Sequence, residues 1–235
     1  MISIWKRELQ AYFYTASGYI YMGVFLALSS IMFYLQILQN RSSDLLTFMG
    51  QMSYLWMLLS PVLTMRLLTD EKQKHTDQLL FTSPVSLMGV VLGKFLAALS
   101  VMGITVLFTL GYVLVVSIYG QVYPGEMMVG YLGFVLQGCA FVAIDLYVSS
   151  LVATPVSAVV ISIGINLCLW IMDMLAYNLP EWIGDVLTFF SLYSRNEPFL
   201  MGQLSFASVM FDLSVVVIGL VLTIHRLDSR RYQGV

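Results

Sequence analysis

The sequence predicts an all-α integral membrane protein with six transmembrane helices. The first observation is composition, because the 235 residues are 59% hydrophobic and only 10% charged, with a mean hydropathy of +0.86. A soluble chain of this length could not bury so much apolar surface. The second observation is that the apolar runs are long and unbroken, which favours helices over the short alternating strands of a membrane barrel. The third is the position of the basic residues at the ends of these runs.

Long intervals with few or no charges locate the spans. A transmembrane helix needs roughly 20 apolar residues. The intervals predict spans near 18–38, 46–67, 95–118, 127–150 and 156–177, and a sixth near 206–225 that contains Asp212. No segment outside them is long enough for a second folded unit, so residues 1–235 are interpreted as a single transmembrane domain.

The distribution of basic residues predicts the orientation. An even number of spans places both termini on one side of the membrane. Nine of the 11 Lys and Arg residues fall on that side, namely Lys6, Arg7, Arg66, Lys72, Lys74, Lys94, Arg226, Arg230 and Arg231. Because basic residues near span ends stay in the cytoplasm, we expect a multi-pass protein of the cytoplasmic (inner) membrane with both termini inside. The net charge of -2 says little about partners, but the lack of a basic patch argues against nucleic-acid binding.

The segment that precedes the first span is amphipathic. Apolar side chains recur at helical spacing on one face, opposite basic and amide side chains; the two sets are Ile2, Trp5, Leu9 and Tyr12, and Lys6, Arg7 and Gln10. The pattern predicts an interfacial helix over residues 2–14 that rests on membrane lipids. It is either an ordinary anchor or an element that also contacts a cytoplasmic partner. The candidate contact residues are Trp5, Lys6, Arg7, Glu8 and Leu9.

The cytoplasmic link between the second and third spans carries the strongest local signal. Six titratable groups occupy eight positions, namely Asp70, Glu71, Lys72, Lys74, His75 and Asp77. An apolar run and a proline follow, with Leu79, Leu80, Phe81 and Pro84. A simple connector needs only a few residues. The pattern therefore predicts a short helix with a polar half and an apolar half that docks on a partner. A solvated loop is the alternative.

The external link over 178–205 is unusually apolar. Its large apolar residues are Trp182, Ile183, Val186, Leu187, Phe189, Phe190, Leu192 and Tyr193. A free external loop would not carry so many of them. Irregular backbone at membrane depth also needs cover from protein, so this segment is expected to fold against the spans.

Several of these motifs, in this order, resemble the signature of type-2 ABC exporter permeases. The motifs in the cytoplasmic link are Glu71, Thr76-Asp77, Leu79-Leu80, Ser83-Pro84-Val85 and Leu92-Gly93-Lys94. The opening motifs are Lys6-Arg7-Glu8-Leu9, Tyr12-Phe13 and Gly18-Tyr19. Phe189-Phe190-Ser191-Leu192 and Gly202 resemble the branch that includes the gliding-motility and copper-site-assembly permeases. His75 and Asp77 depart from the family, which often has Gly and Glu at these positions.

The resemblance implies a permease subunit that pairs with a second permease chain, identical or different, with one ABC ATPase docked beneath each. Residues 69–82 would form a cytoplasmic coupling helix within a coupling segment over 69–84. Short external helices over 178–205 would dip back into the membrane before the last span. The residues expected to bind the ATPase are Asp70, Glu71, Lys74, His75, Thr76, Asp77, Leu79, Leu80 and Pro84. With few charges in the spans, the expected cargo is hydrophobic or lipid-like, or the subunit transmits force across the membrane.

The chain is not expected to be an enzyme or to bind a cofactor. Its nearest approach to a phosphate-binding loop, the segment 89–95, is one residue short and ends in Phe, whereas such a loop needs a Ser or Thr there. ATP and Mg²⁺ would therefore be bound by the partner ATPase. His75 and His225 have no second His or Cys at metal-ligand spacing, and no metal site is expected.

Two carboxyl groups inside the spans remain as candidates for a function in the membrane. Asp145 and Asp212 could contact substrate or relay protons, or could bond neighbouring polar groups. Gln137 and Asn166 are expected to form hydrogen bonds between helices. The alternatives to transport are a membrane-embedded enzyme that modifies lipids, which would gather acidic or His residues at one depth, and a membrane anchor or scaffold.

Overall fold

The computed structural model describes residues 1–73, 86–176 and 179–233, which are almost entirely helical. The helices are α1 (Ile2–Tyr14), α2 (Ala16–Phe33), α3 (Leu45–Gln73), α4 (Leu87–Tyr119), α5 (Pro124–Leu151), α6 (Pro155–Ala176), α7 (Glu181–Phe190), α8 (Leu192–Leu200) and α9 (Phe206–Gln233). A π-helical turn, Tyr34–Leu38, extends α2. No strand occurs in the described part of the chain.

Within these residues, six helices are long and apolar enough to cross a membrane. They are Ala16–Leu38, Leu45–Gln73, Leu87–Tyr119, Pro124–Leu151, Pro155–Ala176 and Phe206–Ser229. This confirms the prediction of six candidate spans, but most of the helices are longer than predicted. The 33 residues of α4 extend over about 50 Å, more than the roughly 30 Å of the hydrocarbon core. The single charge of Lys94 was taken as the start of the apolar run, although α4 begins seven residues earlier with apolar side chains.

One boundary prediction needs correction. The coupling segment was predicted to begin as a separate helix at residue 69, but α3 continues without a break to Gln73. Asp70 and Glu71 therefore lie in the last turn of α3. A helix that leaves the apolar layer keeps its backbone hydrogen bonds whether its side chains are apolar or charged, so a change in polarity does not mark its end.

The core lies between α3 and α5. In the most apolar stretch of each helix, 61% of the residues are buried in α3 and 56% in α5, against 18% in α6. Besides α3, α5 packs extensively on α9. Three aromatic rings join α2, α3 and α5, with the Trp56 ring 4.9 Å from that of Phe25 and 4.8 Å from that of Phe134, measured between centroids. The Trp56 indole also donates to the Phe134 carbonyl at 3.1 Å. The polar indole N–H is thus satisfied within the apolar core.

The segment predicted as the external link folds into two short helices, α7 and α8. The shorter, α8, packs against α5, where Asn196 donates from Nδ2 to Oε1 of Gln137 at 2.9 Å. This bond bears out the expectation that Gln137 forms an interhelical hydrogen bond. The neighbouring α7 leaves large apolar side chains exposed, namely Trp182, Val186, Phe189 and Phe190.

Candidate functional site

Four charged side chains from three helices meet at one end of the helix bundle. Lys94 of α4 is only 1% exposed and lies between two carboxylates. Its Nζ is 2.8 Å from Oε1 of Glu71 on α3 and 3.2 Å from Oε1 of Glu8 on α1. It also donates to the Leu67 carbonyl. A buried ammonium needs such partners, because burial without them would cost several kcal/mol, about as much as a whole domain can spare.

Arg7 closes this group on its exposed side. Its Nη2 lies 2.7 Å from Oε1 of Glu8 and 3.3 Å from Oε1 of Glu71. The hydrogen bond with Glu8 raises the pKa of Arg7 further, and partial burial opposes this effect. We call Arg7, Glu8, Glu71 and Lys94 the ion cluster. Its two positive and two negative charges balance, so three helix segments are joined at one point without net charge.

Further contacts hold α1 against the bundle. Trp5 donates from Nε1 to Oγ of Ser100 on α4 at 2.9 Å. Tyr12 donates its hydroxyl to the Leu63 carbonyl of α3 at 2.6 Å, and burial raises the pKa of Tyr12, so the phenol keeps its proton. A Cβ at Gly93 would lie 3.0 Å from Cγ2 of Ile4, so the small residue lets α1 approach α4 closely. The predicted interfacial segment is therefore also a packed part of the fold.

Lys72, next to the ion cluster in sequence, ties the end of α3 to the end of α5. Its Nζ donates to the carbonyls of Ser149 at 3.0 Å, Ser150 at 2.6 Å and Val152 at 2.7 Å. The last carbonyls of a helix lack intrahelical donors and carry partial negative charge, so an ammonium group stabilises them. The contact fixes the position of the turn that leads into α6.

The structure brings together only some of the residues predicted to bind a partner. Glu71 joins Arg7 and Glu8 in the ion cluster, and Asp70 is half-buried in the same turn of α3. The remaining predicted residues of the link lie outside the described residues: Lys74, His75, Thr76, Asp77, Leu79, Leu80 and Pro84. On α1, Lys6 is exposed and Leu9 is half-buried.

Lys94 is the functional candidate that sequence reasoning missed. The sequence marked it only as a basic residue on the cytoplasmic side and as part of the Leu92-Gly93-Lys94 motif. The available signal was its position as a lone cation in the long apolar run of α4. An ionisable residue in such a run requires a partner, and the available acidic residues include Glu8 in the middle of α1 and Glu71 in the last turn of α3.

The two carboxyl groups within the spans have different surroundings. Asp145 of α5 is fully buried and accepts hydrogen bonds from the Ser60 hydroxyl of α3 and, at 3.1 Å, from Nδ2 of Asn166 of α6. Asp212 of α9 is also buried, and neither of its carboxylate oxygens has a hydrogen-bond partner among the described residues. The two residues therefore do not form a pair, as a shared acid–base site would require. The described residues contain no group of three or more His, Cys, Asp or Glu able to hold a metal ion.

Replacing Trp5 with Phe tests whether α1 is docked as the contacts indicate. We expect a loss of about 0.5–1.5 kcal/mol in unfolding free energy, because the bond to Ser100 is lost while the ring is largely kept. Ser100→Ala should cost a similar amount, and the double variant little more than either, since both remove the same bond. Thermal unfolding in detergent measures all three. Fully additive losses would contradict the contact.

The comparison with known families agrees with this architecture. The family model described as "ABC-2 family transporter protein" matches residues 20–224, which include all six candidate spans in large part. No curated protein matches the chain. The matched family consists of membrane subunits of ABC transporters, which generally work with an ABC ATPase. The chain therefore belongs to the ABC-2 transporter family and is a multi-pass membrane permease component of an ABC transporter.

Proposed function

We propose that this chain is one permease half of an ATP-driven exporter, and that the ion cluster holds its coupling segment in place for the ATPase. The observation that carries the proposal is the meeting of α1, the end of α3 and the start of α4 on Lys94. Residues 74–85 connect that end of α3 to α4. Both sides of the link are thus anchored to the same buried cation.

Transmission of movement requires stiff connections. If an ATPase pushed on residues 69–84, the displacement would reach the spans only where the link is firmly attached. Glu71 and Lys94 attach it to α1 and α4, and Lys72 attaches it to the turn after α5. Buried charged hydrogen bonds are among the stronger polar contacts in proteins, so they suit this role.

The proposed orientation places the ion cluster in the cytoplasm and both termini on that side. The excess of basic residues at this end supports it. The exposed Lys6 and Gln10 on α1 would then face headgroups or the ATPase, with α1 lying at the interface. On the opposite side, the exposed apolar residues of α7, including Trp182 and Phe190, support helices that re-enter the outer leaflet.

The proposed assembly has two permease chains, identical or different, and two ATPase subunits that bind ATP and Mg²⁺. Spans with few charges suit a hydrophobic or lipid-like cargo, or the transmission of force to an outer partner. The apolar external helices support a place in the gliding-motility and copper-site-assembly branch of the family.

Site-directed cross-linking tests the ATPase interface. In a background with Cys139 and Cys168 replaced by Ala, Gln73→Cys places a thiol at the exposed end of α3, and Tyr119→Cys places one at the exposed end of α4. The ABC ATPase that co-purifies with the chain should cross-link to the thiol at 73 and not to that at 119. A cross-link at 119 alone, or ATPase that never co-purifies, would refute the proposal.

Glu71→Gln tests coupling itself. The change removes the charge that pairs with Lys94 and Arg7, and charged hydrogen bonds contribute about 1.5–3 kcal/mol. We expect the ATPase activity of the purified complex to fall by about tenfold, with assembly retained. Glu126→Gln, which alters an exposed carboxylate in the first turn of α5, serves as the control and should leave the activity unchanged. Equal activities of the two variants would contradict the coupling role.

A further inference from the structure

A proline lies inside α3, the helix that leads directly to the ion cluster. Pro61 has no backbone N–H, so the carbonyl of Met57, four residues earlier, loses its usual helical donor. Pro61 is buried, so water cannot supply the missing donor. A backbone carbonyl in the middle of a membrane protein requires another partner.

Asn166 of α6 supplies that partner. Its Nδ2 donates to the Met57 carbonyl at 3.3 Å and to Oδ1 of Asp145 at 3.1 Å. The other oxygen of Asp145 accepts from the hydroxyl of Ser60, the residue just before Pro61. Ser60, Asp145 and Asn166 are all fully buried. One polar group therefore joins α3, α5 and α6 at the turn where α3 lacks a backbone bond.

The same turn has a second irregular feature. Thr64 donates its hydroxyl back to the carbonyls of Ser60 at 3.1 Å and Pro61 at 3.4 Å. Hydroxyl groups that bond back to the helix in this way help helices bend, and internal prolines are the commonest cause of sharp kinks. Ser53 and Thr69 make similar bonds elsewhere in α3, but only the turn over residues 57–64 combines such a bond with a proline that removes a backbone donor.

We propose that this turn is the hinge at which α3 bends during the transport cycle, and that Asn166 and Asp145 are positioning residues that guide it. The side-chain bond from Asn166 of α6 replaces the missing backbone bond, and Asp145 of α5 holds Asn166 in place, so α3 can change its bend while the Met57 carbonyl keeps a partner. Movement of the Glu71 end would then alter the angle between the two halves of α3. The hinge rests on the proposed function, because it needs a driving movement at that end.

Distances between spin labels at the two ends of α3 test the hinge. Gln51 and Gln73 are exposed and about 33 Å apart along the helix, and both are changed to Cys in the background without Cys139 and Cys168. The full permease–ATPase complex in nanodiscs is measured without nucleotide and after trapping with ATP, Mg²⁺ and vanadate. In the parent protein, we expect trapping to shift the distance distribution. Pro61→Ala restores the backbone donor to the Met57 carbonyl, so this variant should give a narrower distribution that trapping does not shift.

Pro198→Ala is the matched control, because Pro198 is also inside a helix but lies in α8. This variant should show the same distance distribution and the same nucleotide-driven shift as the parent protein. A Pro61→Ala complex that shifts as the parent does would overturn the hinge, and so would a parent complex that does not shift. Cross-linking of the ATPase at residue 73 would be kept in either case, so failure of the hinge is distinguishable from failure of the proposed function.

The role of Asn166 is tested by thermal unfolding. Asn166→Leu should lower the melting temperature by several degrees, and the drop should be smaller in the Pro61→Ala background, where the backbone N–H gained at position 61 supplies the donor that Met57 needs. In the spin-label measurement, Asn166→Gln, which keeps an amide donor, should retain part of the nucleotide-driven shift that Asn166→Leu loses. An equal drop in both backgrounds would show that Asn166 does not act through Met57.

Discussion

Replacing Lys94 with Met is expected to destabilise the protein by about 3–5 kcal/mol, the usual effect of removing one partner from a buried ion pair. Glu8 and Glu71 would then face each other without the buried cation. The exposed Arg7 could compensate for only part of the repulsion between the two carboxylates. The same change should abolish ATPase coupling, because α4 loses its attachment to the link. Unfolding in detergent and the ATPase activity of the purified complex measure the two effects.

Two variants make this test specific. Lys6→Met removes an exposed cation from α1 and should change stability by less than about 0.5 kcal/mol. Combining Lys94→Met with Glu8→Gln and Glu71→Gln should recover most of the stability, because no buried charge is then left unpaired. Arg7 loses both carboxylates in this variant, but its side chain is exposed to water. Coupling should stay lost in this triple variant. If Lys94→Met were as stable as Lys6→Met, the ion cluster could not be what holds α1, α3 and α4 together.

The second large effect is expected for Gly133→Ala, which should separate α8 from α5. A Cβ at position 133 would lie 2.5 Å from Cβ and Cγ of Phe199, which is fully buried. Since the new methyl group must displace a ring held on all sides, we expect a loss of about 1–3 kcal/mol. The bond between Asn196 and Gln137 should weaken with it, as both contacts join the same two helices.

The controls for this variant are another glycine and a compensating change. Gly111 in α4 has open space where a Cβ would be placed, and Gly111→Ala should raise stability by about 0.4–1 kcal/mol by restricting the unfolded chain. Adding Phe199→Gly to Gly133→Ala removes both of the atoms that the new Cβ would meet, so the double variant should lose less than the sum of the two single losses. Additive losses would indicate that the contact between the two residues is looser than the structure shows.

The number and approximate positions of the spans could be predicted from the sequence. Lipid imposes a minimum length of apolar helix, and the few charges in the chain mark where each apolar run stops. The end of α3 and the start of α4 could not be predicted in this way, because the charges near Glu71 and at Lys94 interrupt the apolar runs while the helices continue. For that reason Asp70 and Glu71 were predicted to lie in a separate element, whereas the structure places them in α3.

The candidate site was predictable only in part. Glu71 and the segment around Arg7 and Glu8 were singled out separately, one from the charged link and the others from the amphipathic start. Their contact through Lys94 joins residues 86 positions apart in the case of Glu8. Likewise, Asn166 was expected to bond another helix, but its acceptor on α3 depends on the missing donor at Pro61 and on how α6 is rotated.

The sequence by itself determined that this chain has six helices suited to crossing a membrane. A hydrocarbon layer requires a helix of sufficient length and low polarity, and both properties can be read directly from the order of residues. The order of short motifs along the sequence also indicated the family to which the chain belongs. Only the tertiary structure decided which buried polar groups meet. A buried charge or carbonyl takes whichever partner the packing brings within about 3 Å, and the rotation and crossing of each helix, which arise from all its contacts together, set that choice.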